Sequence, residues 1–247
     1  MSKKKLELIT VARACDWHIP YHDPVVIEVA FKLLKVLKPS IIVIDEVIDW
    51  YSLSRFDKDP ERILDLQKNL DTTVAYLTRL RKLFPKTRII MVESNHDKRL
   101  KKYLWTNASA LSVLRCLDFN DLMGLNKLKI EYKKFFIYKK VLFKHGSIVR
   151  QHSGYTARAE MMKEGTSGSS GHTHRLGSHY KTLRGGKYVW VEGGCLCDPK
   201  QAEYIDGTAN WQQGITCFDF VKGTDRFYPL VIPIIDKKAL FSKRIYG

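Results

Sequence analysis

Polar residues that close short apolar runs or turns at five places along the chain constrain the fold more than any other feature. Each place delivers His, Asp, Glu or Asn to the end of an expected strand or to the turn beside it. The five stretches are Asp16-Trp17-His18, Asp45-Glu46-Val47-Ile48-Asp49, Asn95-His96-Asp97, His145-Gly146 and Gly171-His172-Thr173-His174. In open α/β sheets ligands bind at the carboxyl ends of strands, so we expect these groups to converge on one edge.

The stretch Gly171-His172-Thr173-His174 is the one around which the others are organised. An extended backbone would project both imidazoles to the same side, because they are two positions apart. Two converging neutral imidazoles are typical of a metal site, although this short motif taken alone is also compatible with an ordinary surface loop. Asp16 and His18 repeat the spacing with one carboxylate. Chance explains one such placement more readily than five, which favours a metal centre.

Length and composition indicate an ordinary globular protein. The chain has 247 residues, of which 45% are hydrophobic and 28% charged, and this length fits one domain with a large core. No apolar run approaches the roughly 20 residues that a membrane span needs, and no signal-type segment is present. We therefore predict a single domain over residues 1–247, a cytoplasmic location and no membrane partner.

Charge and cysteine content bear on the partner and on the metal ligands. The formal net charge of +16 favours a polyanionic partner through phosphate contacts, the alternative being a merely soluble basic surface. Cys195 and Cys197 could form a soft ligand pair, but no second pair completes a zinc site, and buried reduced thiols are the favoured interpretation.

The order of elements indicates β-α units followed by a β-rich second half. Pro24 suits the first position of a helix running to about Leu37. Residues 40–45 indicate a buried strand and residues 87–93 a further strand. Asp59-Pro60-Glu61 is expected to begin a second helix that ends before Pro85. From residue 129 onward short strands dominate, with one helix near 156–163.

A ligand set of carboxylates, imidazoles and an amide suits two divalent metal ions. Such a pair activates water and stabilises both oxygens of a phosphoryl displacement, provided that one carboxylate spans the two ions. His96, beside the expected ligand Asn95, is placed to act as a general acid for the leaving oxygen. A further ligand or a bystander are the alternatives for His96.

The five motifs, in this order, resemble those of the calcineurin-like metallophosphoesterase superfamily, over residues 6–194. The stretches His152-Ser153-Gly154-Tyr155-Thr156-Ala157-Arg158 and Asn210-Trp211-Gln212-Gln213-Gly214 resemble a small branch found in phages and bacteria. The resemblance implies an α/β fold in which a two-sheet β-sandwich is flanked by helices on both faces. It also implies hydrolysis of phosphoesters with two divalent metal ions, commonly manganese, iron or zinc, with manganese expected first.

The resemblance also implies a role for each motif residue. Asp16, His18 and His174 would bind one metal, whereas Asn95, His145 and His172 would bind the other. The carboxylate of the second motif would bridge them, and Asp49 would orient ligands by hydrogen bonds. His96 would protonate the leaving group, with Asp97 fixing its tautomer or orientation.

Three departures from the family pattern concern the same site. The family's Gly-Asp is Asp45-Glu46 here, so either Glu46 bridges the metals with adjusted geometry or a shifted backbone lets Asp45 do so; Glu46 is favoured. Ser94 replaces a glycine, which threatens a close backbone approach or a positive φ. The polar stretch 166–170 stands where a buried strand is expected and should weaken that strand.

Three functional hypotheses follow. The first is a phosphodiesterase that cleaves nucleic acid, in which Arg99, Arg158 and Arg175 bind phosphate oxygens; solvated surface arginines are the alternative for each. The second is a phosphatase or phosphodiesterase for nucleotides or other small phosphoesters. The third, motivated by the altered second motif, is a catalytically impaired module that binds metal or nucleic acid.

Overall fold

In a computed structural model of the chain, which describes residues 6–59, 65–201 and 208–247, two large β-sheets pack face to face. The strands are β1 Leu8–Cys15, β2 Ile41–Asp45, β3 Arg88–Val92, β4 Ile130–Lys133, β5 Phe136–Tyr138, β6 Val141–Lys144, β7 Ser167–Ser170, β8 Leu176–Leu183, β9 Gly186–Gly193, β10 Gly214–Val221, β11 Phe227–Pro233, β12 Ala239–Phe241 and β13 Arg244–Tyr246. The helices are α1 Pro24–Leu37, α2 Leu66–Leu83, α3 Arg99–Asn107, α4 Phe119–Leu122 and α5 Tyr155–Glu164.

The first sheet has six strands in the order β11-β10-β1-β2-β3-β4. Strands β1 to β4 are parallel, as crossover connections through helices require, and β10 and β11 add an antiparallel edge. The second sheet has the order β5-β6-β7-β9-β8, with β6, β7 and β9 parallel. A separate hairpin of β12 and β13 follows near the C-terminus.

Alternating side chains of each central strand serve two different cores. In β2, Ile42 and Ile44 face a core that includes α1 and α2, whereas Ile41 and Val43 face the second sheet. This period of two is the ordinary geometry of a strand buried on both sides. On the outer face of the second sheet, α5 packs against Leu142 and Trp190. The layers are therefore α-β-β-α, and the expected two-sheet sandwich flanked by helices is confirmed.

Local sequence signals placed most of the elements of the first half. Helix α1 begins at Pro24 because Asp23 Oδ1 accepts hydrogen bonds from the backbone N–H groups of Val25 and Val26. Residues 60–64, where the second helix was expected to begin, lie outside the described residues; the described helix α2 has Asp65 as its N-cap.

The polar stretch before Gly171 forms a buried strand despite its composition. Strand β7 is fully buried and pairs with both β6 and β9. Small side chains are needed here, because Ser170 Oγ accepts a hydrogen bond from the Trp190 indole at 3.0 Å. A Cβ atom on Gly168 would lie 2.6 Å from both Leu142 O and the Trp190 ring.

None of the helices within 6–59, 65–201 and 208–247 combines the length and the apolar character that crossing a membrane requires.

Gly168→Ala should lower the free energy of unfolding by about 1–3 kcal/mol, because the added methyl group overpacks a backbone carbonyl and a buried ring. Urea unfolding followed by circular dichroism measures the change. Gly185→Ala is the matched control, since its Cβ would meet only Tyr188 Oη, at 3.3 Å. Equal stability of the two variants would contradict the packing argument.

Candidate metal centre

The five motifs meet where parallel strands of both sheets end. Asp16 follows β1, Glu46 follows β2, and Asn95 lies three residues beyond β3 in the first sheet. His145 follows β6 and His172 follows β7 by one residue in the second sheet. The expected convergence on one edge is therefore present, with both sheets contributing.

Five of these residues lie in the left-handed region of backbone conformation. The φ angles of Asp16, His18, Glu46, His172 and His174 lie between 47° and 71°. Residues other than glycine rarely adopt this region, and strained backbone of this kind clusters at functional sites. Hydrogen bonds hold the geometry, because Trp17 N and His18 N both donate to Glu46 O, at 3.0 and 3.1 Å.

The first ligand group joins the two His-containing turns. Asp16, His18, Glu46 and His174 are all buried and place ligand atoms within 4.8 Å of one another. Nε2 of His18 lies 2.8 Å from Nε2 of His174. His18 Nδ1 donates to Asp49 Oδ2 at 2.7 Å, so in the neutral ring Nε2 presents a lone pair to this cluster.

The second ligand group consists of Glu46, His145 and His172, again with ligand atoms within 4.8 Å of one another. Asn95 joins it, because Oδ1 lies 2.7 Å from Nε2 of His145. The same Nε2 lies 2.9 Å from Glu46 Oε2 and 3.2 Å from His172 Nδ1. Glu46 is therefore the residue common to both groups, and its bridging role remains a prediction.

Asp45 points to the other side of His145. Its Oδ2 accepts a hydrogen bond from His145 Nδ1 at 2.7 Å and another from Arg13 Nη2 at 2.8 Å. The Arg13 guanidinium is fully buried and also donates to Ser169 O and Lys144 O, at 2.7 and 2.9 Å. Asp45 thus orients an expected ligand instead of joining a ligand group. No described contact supports the alternative in which it bridges.

His96 lies beside these two groups and forms a third possible ligand group with His18 and Asp49. Its Nε2 is 3.0 Å from Glu46 Oε1, and its Nδ1 is 3.3 Å from Asp49 Oδ2. Arg99 donates to His96 Nε2 at 2.7 Å and to Asp49 Oδ1 at 2.9 Å. Asp49 therefore contacts both His18 and His96, in agreement with an orienting role, and Arg99 lies inside the site.

The orienting contact expected between Asp97 and His96 is not made; Asp49 lies beside that ring instead. Asp97 Oδ2 accepts hydrogen bonds from Ser94 N at 2.8 Å and from Tyr132 Oη at 3.2 Å. Ser94 Oγ accepts in return from Asp97 N at 3.1 Å. Ser94 has no positive φ, so the positive φ expected as one possible conflict is absent there, and its hydroxyl closes the turn that carries Asn95 and His96.

Burial and charge set the protonation of the ligands. Burial, together with Asp45 and Glu46, raises the pKa of Asp16 to about 8. Burial also lowers the pKa of His172 to about 4 and that of His174 well below its usual value. Burial opposes the charge of His145, but Glu46 and Asp45 outweigh it and raise that pKa well above its usual value. Carboxylates are thus crowded together beside neutral imidazoles, and a bound cation would relieve the repulsion between the carboxylates.

The residues fit divalent metal ions. Oδ2 of Asp16 is buried and has no hydrogen-bond partner among the described residues. Around His145 Nε2, two oxygens and a second ring nitrogen face one another, so a proton or a cation must lie among them. Mixed imidazole and oxygen ligands of this kind suit manganese, iron or zinc.

The other two arginines expected to bind phosphate, unlike Arg99, have no described contact with the ligand groups. Arg175, the residue after His174, donates hydrogen bonds to two backbone carbonyls. Its Nε donates to Asn210 O at 3.2 Å and its Nη1 to Arg150 O at 2.5 Å. Arg158 is exposed on α5, and no described contact connects its side chain with the ligand groups.

Two residues that contact the ligands or their partners could not be predicted from the sequence. The Trp211 ring lies edge-on to His174, with 4.0 Å between ring centroids; its stretch was noted only for resemblance. The sequence gives no sign that Arg13 is buried, because a single charged residue within an apolar strand is usually one that faces solvent. Cys195 and Cys197 are buried free thiols outside the ligand groups of the described residues.

Arg13→Met should lower the free energy of unfolding by about 3–5 kcal/mol, because it leaves the buried Asp45 charge uncompensated. The double variant Arg13→Met/Asp45→Asn removes both charges and should recover part of the loss. Urea unfolding with chelator present measures this coupling.

The exposed ion pair between Arg88 and Glu131, 2.6 Å apart, supplies the control for that experiment. Arg88→Met should cost less than about 1 kcal/mol. Additive effects of the Arg13 and Asp45 substitutions would refute the coupling.

Comparisons with known proteins give two clear relatives. A Gene 54 protein of Mycobacterium phage L5 is 29% identical over 248 residues, covering 94% of this chain and 96% of the relative. A Gene 54 protein of Mycobacterium phage D29 is 31% identical over 237 residues, covering 89% and 91%. No family model matches the chain.

Among solved structures, Vacuolar Protein Sorting 29 from Cryptosporidium parvum is similar, with a TM-score of 0.51 and 12% identity over 96% of this chain and 95% of that one. This likeness concerns the fold alone and agrees with the two-sheet sandwich flanked by helices. The relationship to the phage proteins rests on sequence identity across nearly the whole length. The chain therefore belongs to the family of the mycobacteriophage Gene 54 proteins.

Proposed function

We propose that this protein is a metal-dependent phosphoesterase that hydrolyses phosphodiester bonds, with nucleic acid as its substrate, using two divalent metal ions. The observation that carries the proposal is the position of Glu46. Its carboxylate belongs to both ligand groups, and a carboxylate shared by two ions is what two-metal phosphoryl chemistry requires.

The ligands divide between two sites. Asp16, His18 and His174 would hold one ion, and Asn95, His145 and His172 the other, with Glu46 between them. When bound, such ions activate water as the nucleophile and stabilise charge on the phosphoryl oxygens.

Side chains around the ligands have their own tasks in this proposal. Asp49 keeps the proton of His18 on Nδ1, 2.7 Å away, so that Nε2 stays free to bind. Asp45 does the same for His145. In its protonated form His96, 3.0 Å from Glu46, would protonate the leaving oxygen, and the Arg99 guanidinium, which lies 2.7 Å from His96 Nε2 in the neutral ring, presents positive charge at the same edge.

Nucleic acid is proposed as substrate because of charge. The excess of 42 basic over 26 acidic residues, a difference of 16, attracts polyanions and should make turnover of polymers sensitive to salt. Small phosphoesters lack this dependence. A comparison of kcat/KM for an oligonucleotide and for bis-p-nitrophenyl phosphate at several salt concentrations separates the two substrate classes.

Glu46→Gln should weaken binding of both metal equivalents, because this carboxylate serves both groups. Asp45→Asn should leave one equivalent tight and weaken the other about 10- to 100-fold, the usual effect of losing a partner behind a ligating histidine. Equilibrium dialysis against limiting Mn²⁺ with elemental analysis gives both affinities. Loss of both equivalents in Asp45→Asn, with both kept in Glu46→Gln, would assign the bridge to Asp45.

His96→Ala should reduce hydrolysis of a dinucleotide about 100-fold or more, because its alkoxide leaving group needs a proton. Hydrolysis of bis-p-nitrophenyl phosphate should fall much less, since nitrophenolate leaves without one. Metal content should be unchanged. His179→Ala, a histidine on β8 outside the ligand groups, is the control. Equal losses on both substrates would exclude the general-acid role.

A further inference from the structure

We infer that residues 98–117 form a binding surface for single-stranded nucleic acid that delivers the strand to the metal centre. This basic-aromatic segment comprises α3 and the two short 3-10 turns that follow it. The inference rests on the proposed function for the purpose of the surface, but the binding itself is measurable without catalysis.

The segment combines positive charge with exposed aromatic and apolar side chains. Residues 98–117 contain five basic residues and no acidic one. Large apolar side chains are exposed along it, and their exposed fractions are high: Tyr103 43%, Trp105 57%, Leu111 47%, Val113 80% and Leu114 45%. These five side chains lie within twelve residues of one another in the chain, and exposed apolar side chains that group together mark an interaction site more often than a plain solvated surface does.

Four of the five cations of the segment, those on or next to α3, divide into two kinds. Lys98 pairs with Glu93 at 2.7 Å and Arg99 with Asp49 at 2.9 Å, so both are engaged within the protein. Lys101 and Lys102 are exposed and form no ion pair with a described residue. The Lys101 ammonium lies 5.2 Å from the Trp105 ring centroid. Positive charge is therefore placed directly beside an accessible aromatic ring.

The segment starts inside the site. Arg99 N donates to His96 O at 2.9 Å, and the Arg99 guanidinium contacts Asp49 and His96. Trp105 is six residues further along the helix, which at 1.5 Å per residue is about 9 Å along the axis. A stacked strand advances about 3.4 Å per nucleotide, so Trp105 lies roughly two to three nucleotides from the centre.

The chemistry of the surface favours an unpaired strand. Aromatic side chains stack on bases whose faces are accessible, and lysines beside them bind the backbone phosphates. Paired bases inside a duplex do not offer their faces to Trp105. A second copy of this chain is disfavoured because Lys101 and Lys102 would meet like charge, and the whole chain carries +16.

Binding of fluorescein-labelled dT12 to the full chain in EDTA, followed by anisotropy, tests the inference without cleavage. Trp105→Ala should weaken binding about 10-fold or more. Lys101→Ala/Lys102→Ala should reduce the slope of log K against log salt by about 1.4, which is about 0.7 for each lost contact to a single strand. A duplex of the same length should be much less sensitive to Trp105→Ala.

Matched control variants lie on the hairpin between β8 and β9, at the end of these strands away from His174. Tyr180→Ala removes an aromatic side chain that is 65% exposed, and Arg184→Ala/Lys187→Ala removes two exposed cations. These variants should bind dT12 within twofold of the unaltered protein. Turnover of bis-p-nitrophenyl phosphate with Mn²⁺ should be the same in Trp105→Ala as in the unaltered protein.

The outcomes separate this inference from the proposed function. If dT12 binding depends on Trp105 and the two lysines while no phosphodiester is hydrolysed under any metal, the surface stands and the catalytic proposal fails. If the segment variants bind dT12 as tightly as the controls do, the inference is overturned. It is equally overturned if the segment variants abolish self-association or binding to anionic lipid vesicles and leave dT12 binding intact.

Discussion

The buried contact of Arg13 with Asp45 is the interaction on which the arrangement of the site depends. Arg13 belongs to β1 of the first sheet, yet its guanidinium donates to carbonyl groups of Lys144 and Ser169 in the second. These carbonyls lie beside His145 and just before Gly171, so one side chain sets the spacing of the two sheets where the ligands converge. Asp45 compensates its charge and orients His145. A buried cation in this position needs a fixed carboxylate, and Asp45 provides it at 2.8 Å.

Two neighbouring carboxylates divide the roles at the end of β2. Asp45 turns toward Arg13, and Glu46, which is one methylene longer than aspartate, reaches the point shared by the two ligand groups. The crowding also explains Gly171, because a Cβ there would lie 2.3 Å from Asp16 Oδ2 and 2.9 Å from Asp45 Oδ2. Five of the expected ligands have a left-handed backbone conformation. This conformation is strained for residues other than glycine, and it accompanies the convergence of the ligands.

The second sheet accommodates the site through small residues. Strand β7 is buried although its side chains are serines and a glycine, because Trp190 and Arg13 fill the adjacent space and donate hydrogen bonds to it. Burial of Ser167 and Ser170 is tolerated because their hydroxyls accept hydrogen bonds from Val189 N and Trp190 Nε1. Strand propensity does not predict a strand here, because propensity reflects an average environment. Packing against two large side chains makes small residues suitable at these positions.

The sequence by itself determined which residues could be ligands and that parallel strands would carry them. Apolar runs, helix caps and turn residues are local signals, so helix α1, the strands β2 and β3 and the ends that carry Asp16, Asn95 and His145 could be predicted. Only the tertiary structure decided the contacts between distant parts of the chain. Asp49, not Asp97, lies beside His96, and Arg13 reaches Asp45, because side chains far apart in sequence meet only when the sheets pack. The same holds for the exposed segment 98–117, since burial depends on the neighbours that the fold supplies.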